Sequence, residues 1–548
     1  MMTFRKSLLS TALIAVASTS LLMGGCNGKD KGEHALISAE AAPLGLKSLD
    51  EKVFARHFDV APRTVSDEEA NLALKALSMD KESDLTWQSK AGEKGNYVYN
   101  NLQFESDEET ITIGQAELLG VHMQDGEATF DRVNFEDITV SEDEVSFGIK
   151  AISLARPSPK MAQLIMHAIQ RADGLDDLDI EIDEGEEMSL GAVSINQVSI
   201  KSDEATGTIE QIVWGTDEAF QKGDAKFGNM DFTITDKNDV TTTFSFEGGT
   251  ARGLNMEPYK KLSKDLKAAG LGQSLGLGSM FGGMNVFAKP YDDFTIGQGT
   301  LKNEFFSFDF KGFEGQAKEK NGVTTITQVS KPMTLKLLSQ PKSSNGARAF
   351  ETFKSLGFDS MTFKTSQTQI MDKAKDQIRL ENGLFEMEDG FRLNYAYEGE
   401  GLAAMVKAAE REEANLNEDT SPAMQMQSTL KSLEALKLQS LKVSLEDKSI
   451  VERALKLASE MFGQSPDMLK KQMKMAVMAA PIMAEGKLEK SILSELGSAV
   501  VEFVENDGET LTISVNPPKP LSITSLIEAK ESNLAPEELG FSASVSEK

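Results

Sequence analysis

The side chains able to do chemistry in this chain are few, and they stand far apart. Cys26 is the only cysteine in 548 residues, so no internal disulfide can form and no second thiol completes a redox pair. The histidines are His34, His57, His122 and His167, without a His-Glu-x-x-His spacing, so zinc catalysis lacks its usual ligands. No Gly-x-Ser-x-Gly elbow, phosphate-binding Walker loop or kinase signature is present. Gly276-Leu277-Gly278 meets its third glycine, Gly282, one residue too late for a dinucleotide turn. The patterns point to no cofactor and to no catalytic residue.

Two clusters keep metal chemistry open as an alternative. The acidic run Asp176 to Glu187 suggests calcium, yet counting from Asp177 puts Ile182 where an EF-hand turn needs glycine and Met188 where its last glutamate belongs. Carboxylates on alternate residues of a strand would instead share a solvated face and keep the edge from aggregating. Met468, Met473, Met475, Met478 and Met483, with Met424 and Met426 upstream, offer thioethers for Cu(I). Their helical spacing equally describes a core face, and that is the expectation. A hydrolase built on Asp and Glu pairs is a further alternative, because spacing along the chain does not give distance in the fold.

The surroundings of Cys26 are more informative. Arg5 and Lys6 precede an apolar stretch from Leu8 to Leu22, and Gly24-Gly25 precede the cysteine. Leu21-Leu22-Met23-Gly24-Gly25-Cys26 resembles the lipobox of bacterial lipoproteins, with Met23 where that family usually has Leu. The resemblance implies a signal peptide over residues 1–25, cleavage before Cys26 and a diacylglycerol on its thiol. Two or three acyl chains hold a protein firmly at a membrane without spanning it. Asn27, where Asp would direct retention in the inner membrane, implies an outer-membrane protein facing the periplasm.

Composition narrows the partners. With 57 basic and 86 acidic side chains the net charge is −29, a field that repels nucleic acid and anionic headgroups. No later run of about 20 apolar residues could cross a bilayer. The expected partners are the membrane, through Cys26, and lipid or envelope proteins.

Residues 26–45 read as a flexible tether. Ser66-Asp67-Glu68-Glu69 starts a helix with Leu72, Ala76 and Met79 on one face, serine and glutamate each capping an orphan donor. From Trp87 the period becomes two: Val145 to Ile149, Phe244 and Phe246, Phe306 to Phe310, Leu335 and Leu337, Leu393 to Tyr397, Leu441 to Leu445, and Leu511 to Val515. Asp236 to Asp239, Lys320 to Gly322, Glu388 to Gly390 and Asn506 to Gly508 mark hairpins. Strand, Pro- or Gly-marked turn and helix recur, with helices expected from about 160, 257, 346, 402 and 522. Further helices are expected from Ser465-Pro466-Asp467 and over 487–505.

The fold class is therefore α+β, predominantly curved antiparallel β-meander with interspersed amphipathic helices. The expected units are 46–283, 284–411, and a helix-rich 412–548, with a glycine-rich apolar loop at 270–283. In texture the body is similar to the YdgA-like and AsmA-like envelope proteins. That similarity implies a non-enzymatic, lipid-anchored protein binding or scaffolding lipid or protein in the periplasm through an extended sheet surface.

Overall fold

The computed structural model describes residues 44–546, apart from 81–84, 106–109, 143–144, 171–188, 257–286, 342–343, 414–430, 484–486, 523–535 and positions 238, 432 and 507. Cys26, the tether, the acidic run at 176–187, the loop at 270–283 and the helix expected from 257 lie outside the described residues. The described chain is α+β and rich in antiparallel sheet. It divides into two compact units, the first built from Leu46–Ala268 with Pro290–Asn303, the second containing Glu304–Lys548.

The first unit begins with α1 (Glu51–Phe58) and α2 (Asp67–Ala76). It continues through β1 (Leu85–Glu93), β2 (Asn96–Glu105), β3 (Thr110–Leu119), β4 (His122–Gln124), β5 (Glu127–Thr129), β6 (Arg132–Glu142) and β7 (Val145–Pro157). After α3 (Pro159–Gln170) follow β8 (Leu190–Lys201), β9 (Ala205–Thr216), β10 (Lys222–Phe227), β11 (Met230–Thr235), β12 (Thr241–Phe246), β13 (Gly249–Asn255), β14 (Asp293–Ile296) and β15 (Gly299–Lys302). Ser66 caps α2 as expected, its Oγ accepting from the Glu69 amide at 3.2 Å. The reciprocal cap does not form: Glu69 Oε1 accepts instead from the Met123 amide at 3.2 Å and ties the helix to β4. The inward face differs in part, since Ala70, Ala73, Leu74 and Leu77 are buried along with the expected Met79, whereas Leu72 is 58 % exposed.

Every neighbouring pair along β1–β2–β3–β6–β7–β8–β9 is antiparallel. Midway along each strand the pairing skips one residue on both sides, and the skipped residues line up across the sheet as Gln88, Asn101, Gly114, Asp137, Lys150, Gln197 and Glu210. Asn101, Asp137 and Gln197 have φ of 48°, 53° and 50°, a left-handed turn of the backbone that re-aims whatever follows. The apolar positions jump by three there instead of two. Ile111 and Ile113 are followed by Ala116 and Leu118, all buried on one face. The same jump separates Val133 and Phe135 from Ile138, and Phe147 and Ile149 from Ile152 and Leu154. One apolar face stays continuous through the interruption, these strands each carrying one residue more than simple alternation needs. Beside it runs a rung of amides, Asn100 Nδ2 donating to Ser89 Oγ at 3.0 Å, Gln115 Nε2 to Asn100 Oδ1 at 3.1 Å and Gln211 Nε2 to Asn196 Oδ1 at 2.9 Å.

The second unit holds β16 (Phe306–Phe310), β17 (Phe313–Lys320), β18 (Val323–Ser330), β19 (Met333–Leu337), α4 (Ser344–Ser355), β20 (Ser360–Asp372), β21 (Gln377–Met387), β22 (Phe391–Glu400) and α5 (Leu402–Glu413). Then come β23 (Lys437–Asp447), α6 (Ile450–Phe462), α7 (Pro466–Met483), α8 (Lys487–Glu505), β24 (Thr510–Val515), β25 (Leu521–Ser522), α9 (Pro536–Leu539) and β26 (Phe541–Ser546). The alternating stretches all form strands, and β20–β21–β22–β23–β24–β26 is one antiparallel run. Three of the four turn signals close hairpins, whereas Asn506 to Gly508 leads from α8 into β24. Ser522 ends β25, and residues 523–535 lie outside the described residues. α8 buries Ala499 and Phe503 against Leu511 and Val545 of the sheet. α7 in turn lies on α8, where a Cβ at Gly497 would come within 2.4 Å of Val477 Cγ1.

Candidate functional site

The two halves of the apolar face in the first unit are treated differently. One half is packed under α2 and α3, with Leu74, Tyr99, Leu102, Ile113, Phe135 and Met166 at most 1 % exposed. The other half centres on Val198, Ile209 and Met230, which are 7 %, 5 % and 5 % exposed. Around them stand half-buried Phe147, Ile200, Phe232, Phe244 and Phe246, and every described member of this cluster belongs to a strand. Ile234 at its margin is 45 % exposed.

Register arranges these residues in two adjacent rows. One row runs Phe147, Ile200, Gly207, Phe232, Phe244, Leu301 across β7, β8, β9, β11, β12 and β15. The next runs Ile149, Val198, Ile209, Met230, Phe246, Gly299. Five strand spacings of about 4.8 Å make the rows about 24 Å long. The Phe232 ring lies across Gly207, where a Cβ would approach Cδ1 to 2.2 Å. The Phe244 and Phe246 rings stack at 6.2 Å and 27°. A shallow aromatic strip of this length suits an extended hydrocarbon chain, being longer than the half-thickness of a bilayer core of roughly 30 Å.

The opposite face is polar. A depression there, an open trough of about 610 Å³, follows the interrupted line and is bordered by Asp137, Lys150, Gln197, Glu210 and Asp231. Lys150 Nζ is 2.5 Å from Asp137 Oδ1, an exposed pair that contributes little to stability.

A second cavity of about 480 Å³ gathers several titratable groups, among them Arg56, His57 and Asp224. α1 places His57 against Gly215, the residue whose missing side chain makes room, since a Cβ there would stand 2.3 Å from His57 Cγ. His57 Nδ1 lies 3.0 Å from the Thr216 carbonyl and Nε2 lies 3.4 Å from Asp224 Oδ2. Arg56 Nη2 donates to the same oxygen at 2.6 Å, and the Gly253 amide donates to Oδ1 at 3.1 Å. Burial pushes the Asp224 carboxyl up, but the bonds from His57, Gly253 and Arg56 outweigh it and hold it below the usual carboxylate range. Both ring nitrogens of His57 are thus occupied, and an ionised Asp224 has no proton to give near neutral pH. Asp217, Glu218 and Asp292 line the same cavity.

The remaining sequence candidates are placed as follows. His122 is structural: Nδ1 meets the Gly120 carbonyl at 2.7 Å and Nε2 meets Arg63 Nη1 at 2.7 Å. His167 lies on α3, with its side chain outside the described residues. Met468, Met475 and Met478 are 52 %, 64 % and 68 % exposed, so the methionine spacing marks an outer helix face and not the expected core. Met424 and Met426 lie outside the described residues. Among the described residues no group of three or more His, Asp or Glu side chains is placed to hold a metal. The bare aromatic rows went unrecognised in the sequence, although their signal, apolar residues at intervals of two, three and two, is written there.

Compared with known proteins, residues 384–546 match a family model described as "Uncharacterized protein". That span runs from the end of β21 to β26 and includes α6, α7 and α8. No curated protein matches the chain.

Proposed function

We propose that this chain is a lipid-anchored envelope protein, held by acyl chains on Cys26 at the periplasmic side of the outer membrane, that binds lipid on a bare sheet face without catalysing a reaction. The observation that carries the binding half is the pair of half-buried aromatic rows from Phe147 to Leu301, left open by the described helices where α2 and α3 cover the rest of the face. Apolar strips of this extent on a soluble body mark binding surfaces. The anchoring half rests on Leu21 to Cys26. The similarity to YdgA-like and AsmA-like proteins, and the reading of the whole body as a diverged β-meander with a helix-rich end, belong to this proposal.

Its test is extraction of the native protein. The processed chain should carry acyl mass on Cys26, and its Cys26→Ser form should remain unprocessed. Non-covalent lipid should co-purify with the folded body, and a body that purifies free of lipid removes the binding half.

A carboxylate hydrolase is the second reading, favoured by four carboxylates on the His57 cavity. Turnover of ester or glycoside substrates that disappears in Asp224→Asn would establish it in place of the first.

A further inference from the structure

We propose that the outer face of α7 is a membrane-contact surface, seated among the headgroups of the bilayer to which Cys26 tethers the chain. This rests on the lipid-anchored reading and adds where the body meets the bilayer. The inner side of α7 presents half-buried Leu469, Met473, Val477 and Ala480, with Val477 fitted to Gly497 of α8. The outer side presents Met468, Lys471, Met475, Met478 and Ile482. At about 100° per residue these five fall within about 80° of arc, over about 21 Å of helix. Met475, Met478 and Ile482 are 64 %, 68 % and 81 % exposed. At the end of α6, the helix before α7, Met461 and Phe462 are also 71 % and 67 % exposed. A row of large apolar side chains this exposed marks a contact surface, since soluble bodies scatter such residues singly.

Charge indicates what covers it. From Pro466 to Met483 the helix carries Lys470, Lys471 and Lys474 against Asp467, a net of +2 (three minus one), in a chain of net −29. Lys471 stands within the strip and Lys474 flanks it, while Lys470 borders the inner side; Lys470 and Lys474 reach Glu505 of α8 at 3.5 Å (the carbonyl) and 2.8 Å. Apolar side chains set among lysines fit acyl chains beneath phosphate headgroups. The lysine stems can extend along apolar surface while their ammonium groups stay wet. Methionine adapts to an irregular apolar surface better than a branched side chain does. A second copy is a poor occupant, because it would bring another strongly acidic body against this one.

The test uses the chain from residue 26 onward carrying Cys26→Ser, free of lipid, with vesicles of phosphatidylethanolamine and about one-quarter phosphatidylglycerol. It should float with the vesicles. Met475→Glu with Met478→Glu should lower the bound fraction by at least about tenfold, and Lys471→Glu by about threefold at low salt. Both methionines are exposed, so the double variant should keep its circular dichroism and melting temperature. Failure of the Cys26→Ser chain to float, equal flotation of the double variant, or a dimer in sedimentation that the double variant abolishes would each overturn the contact surface. The anchor is read separately, from acyl mass on native Cys26: acylated protein with no flotation removes only the contact surface, and unacylated protein removes the anchor.

Discussion

Replacing Phe244 and Phe246 together by Ser tests whether the bare aromatic rows bind lipid. Both rings are half-buried, and burying a phenylalanine completely is worth about 1.5–3 kcal/mol, so the fold holds about 1 kcal/mol in each. Loss of the stacked pair adds about 0.5–1.5 kcal/mol. The sum, about 3 kcal/mol, is less than the 5–15 kcal/mol typical of a folded unit, so the variant should remain folded. The exposed half of each ring is what a hydrocarbon chain would cover, again about 1 kcal/mol apiece. Removing about 2 kcal/mol weakens binding about 30-fold. Displacement of a fluorescent fatty acid gives the affinity, and native mass spectrometry gives the occupancy. Urea unfolding followed by tryptophan emission supplies the fold control, because Trp87 and Trp214, the only two tryptophans, both belong to the first unit. A folded variant that binds acyl chains as tightly as the parent would refute the assignment.

Three further outcomes follow from buried carboxylates. Asp224→Ala leaves buried His57 without its anion and the Gly253 amide without an acceptor, and should cost about 2–4 kcal/mol in the same unfolding assay; Asp224→Asn, which keeps an acceptor for Gly253, should cost about half that. The folded Asp224 carboxyl lies below its unfolded value near 4, so its stabilisation is complete above that pH and is lost as pH falls through the folded value; Asp224→Asn should unfold with a shallower acid dependence than the parent. Gly120→Ala should destabilise by about 2 kcal/mol or more, because φ is +66° and the new Cβ would lie 2.1 Å from Asp131 Oδ2, displacing the carboxylate that accepts from the Arg63 amide at 2.7 Å and from its Nε at 3.0 Å. A melting temperature equal to the parent's would contradict that.

Alternation revealed the strands because a one-sided core imposes period two on whichever residues face it, and Phe244 with Phe246 or Leu511 with Ile513 are where that rule predicts. The helical reading of α2 failed in phase, because Leu72, Leu74 and Leu77 offer two possible apolar stripes and the one that packs runs through Ala70, Ala73, Leu74 and Leu77. Helical spacing also failed for the methionines, because it reports a shared face without saying whether that face turns inward. Histidine chemistry was illegible for a different reason. His57 and Asp224 are 167 residues apart, and only strand order brings them together.

The line of skipped residues explains why a strict period-two reading loses phase midway along each strand, and it can be tested at one position. Deleting Gln197 restores simple alternation in β8. Ile195, Val198 and Ile200 would then alternate on one face, but β8 would be one residue shorter than β7 and β9 at this point, so Lys150 and Glu210, which lie opposite Gln197, would bulge out or the pairing beyond them would slip. A slip would set Val198, 7 % accessible in the fold, and half-buried Ile200 beside Glu210 and Thr208 in place of Ile209 and Gly207, at a cost of about 2–3 kcal/mol where both lose their apolar contacts. Gln197→Gly separates that effect from loss of the side chain, since glycine adopts a φ of 50° without strain and Gln197 is exposed. The glycine variant should match the parent within about 0.5 kcal/mol, and Gln197→Val, β-branched at positive φ, should lose about 1–2 kcal/mol. Deletion should be the most damaging of the three and should weaken acyl binding, because a slip takes Val198 and Ile200 out of line with the rest of the two aromatic rows. A deletion tolerated as well as the glycine variant would mean that the aligned skipped residues of β7, β8 and β9 do not depend on one another.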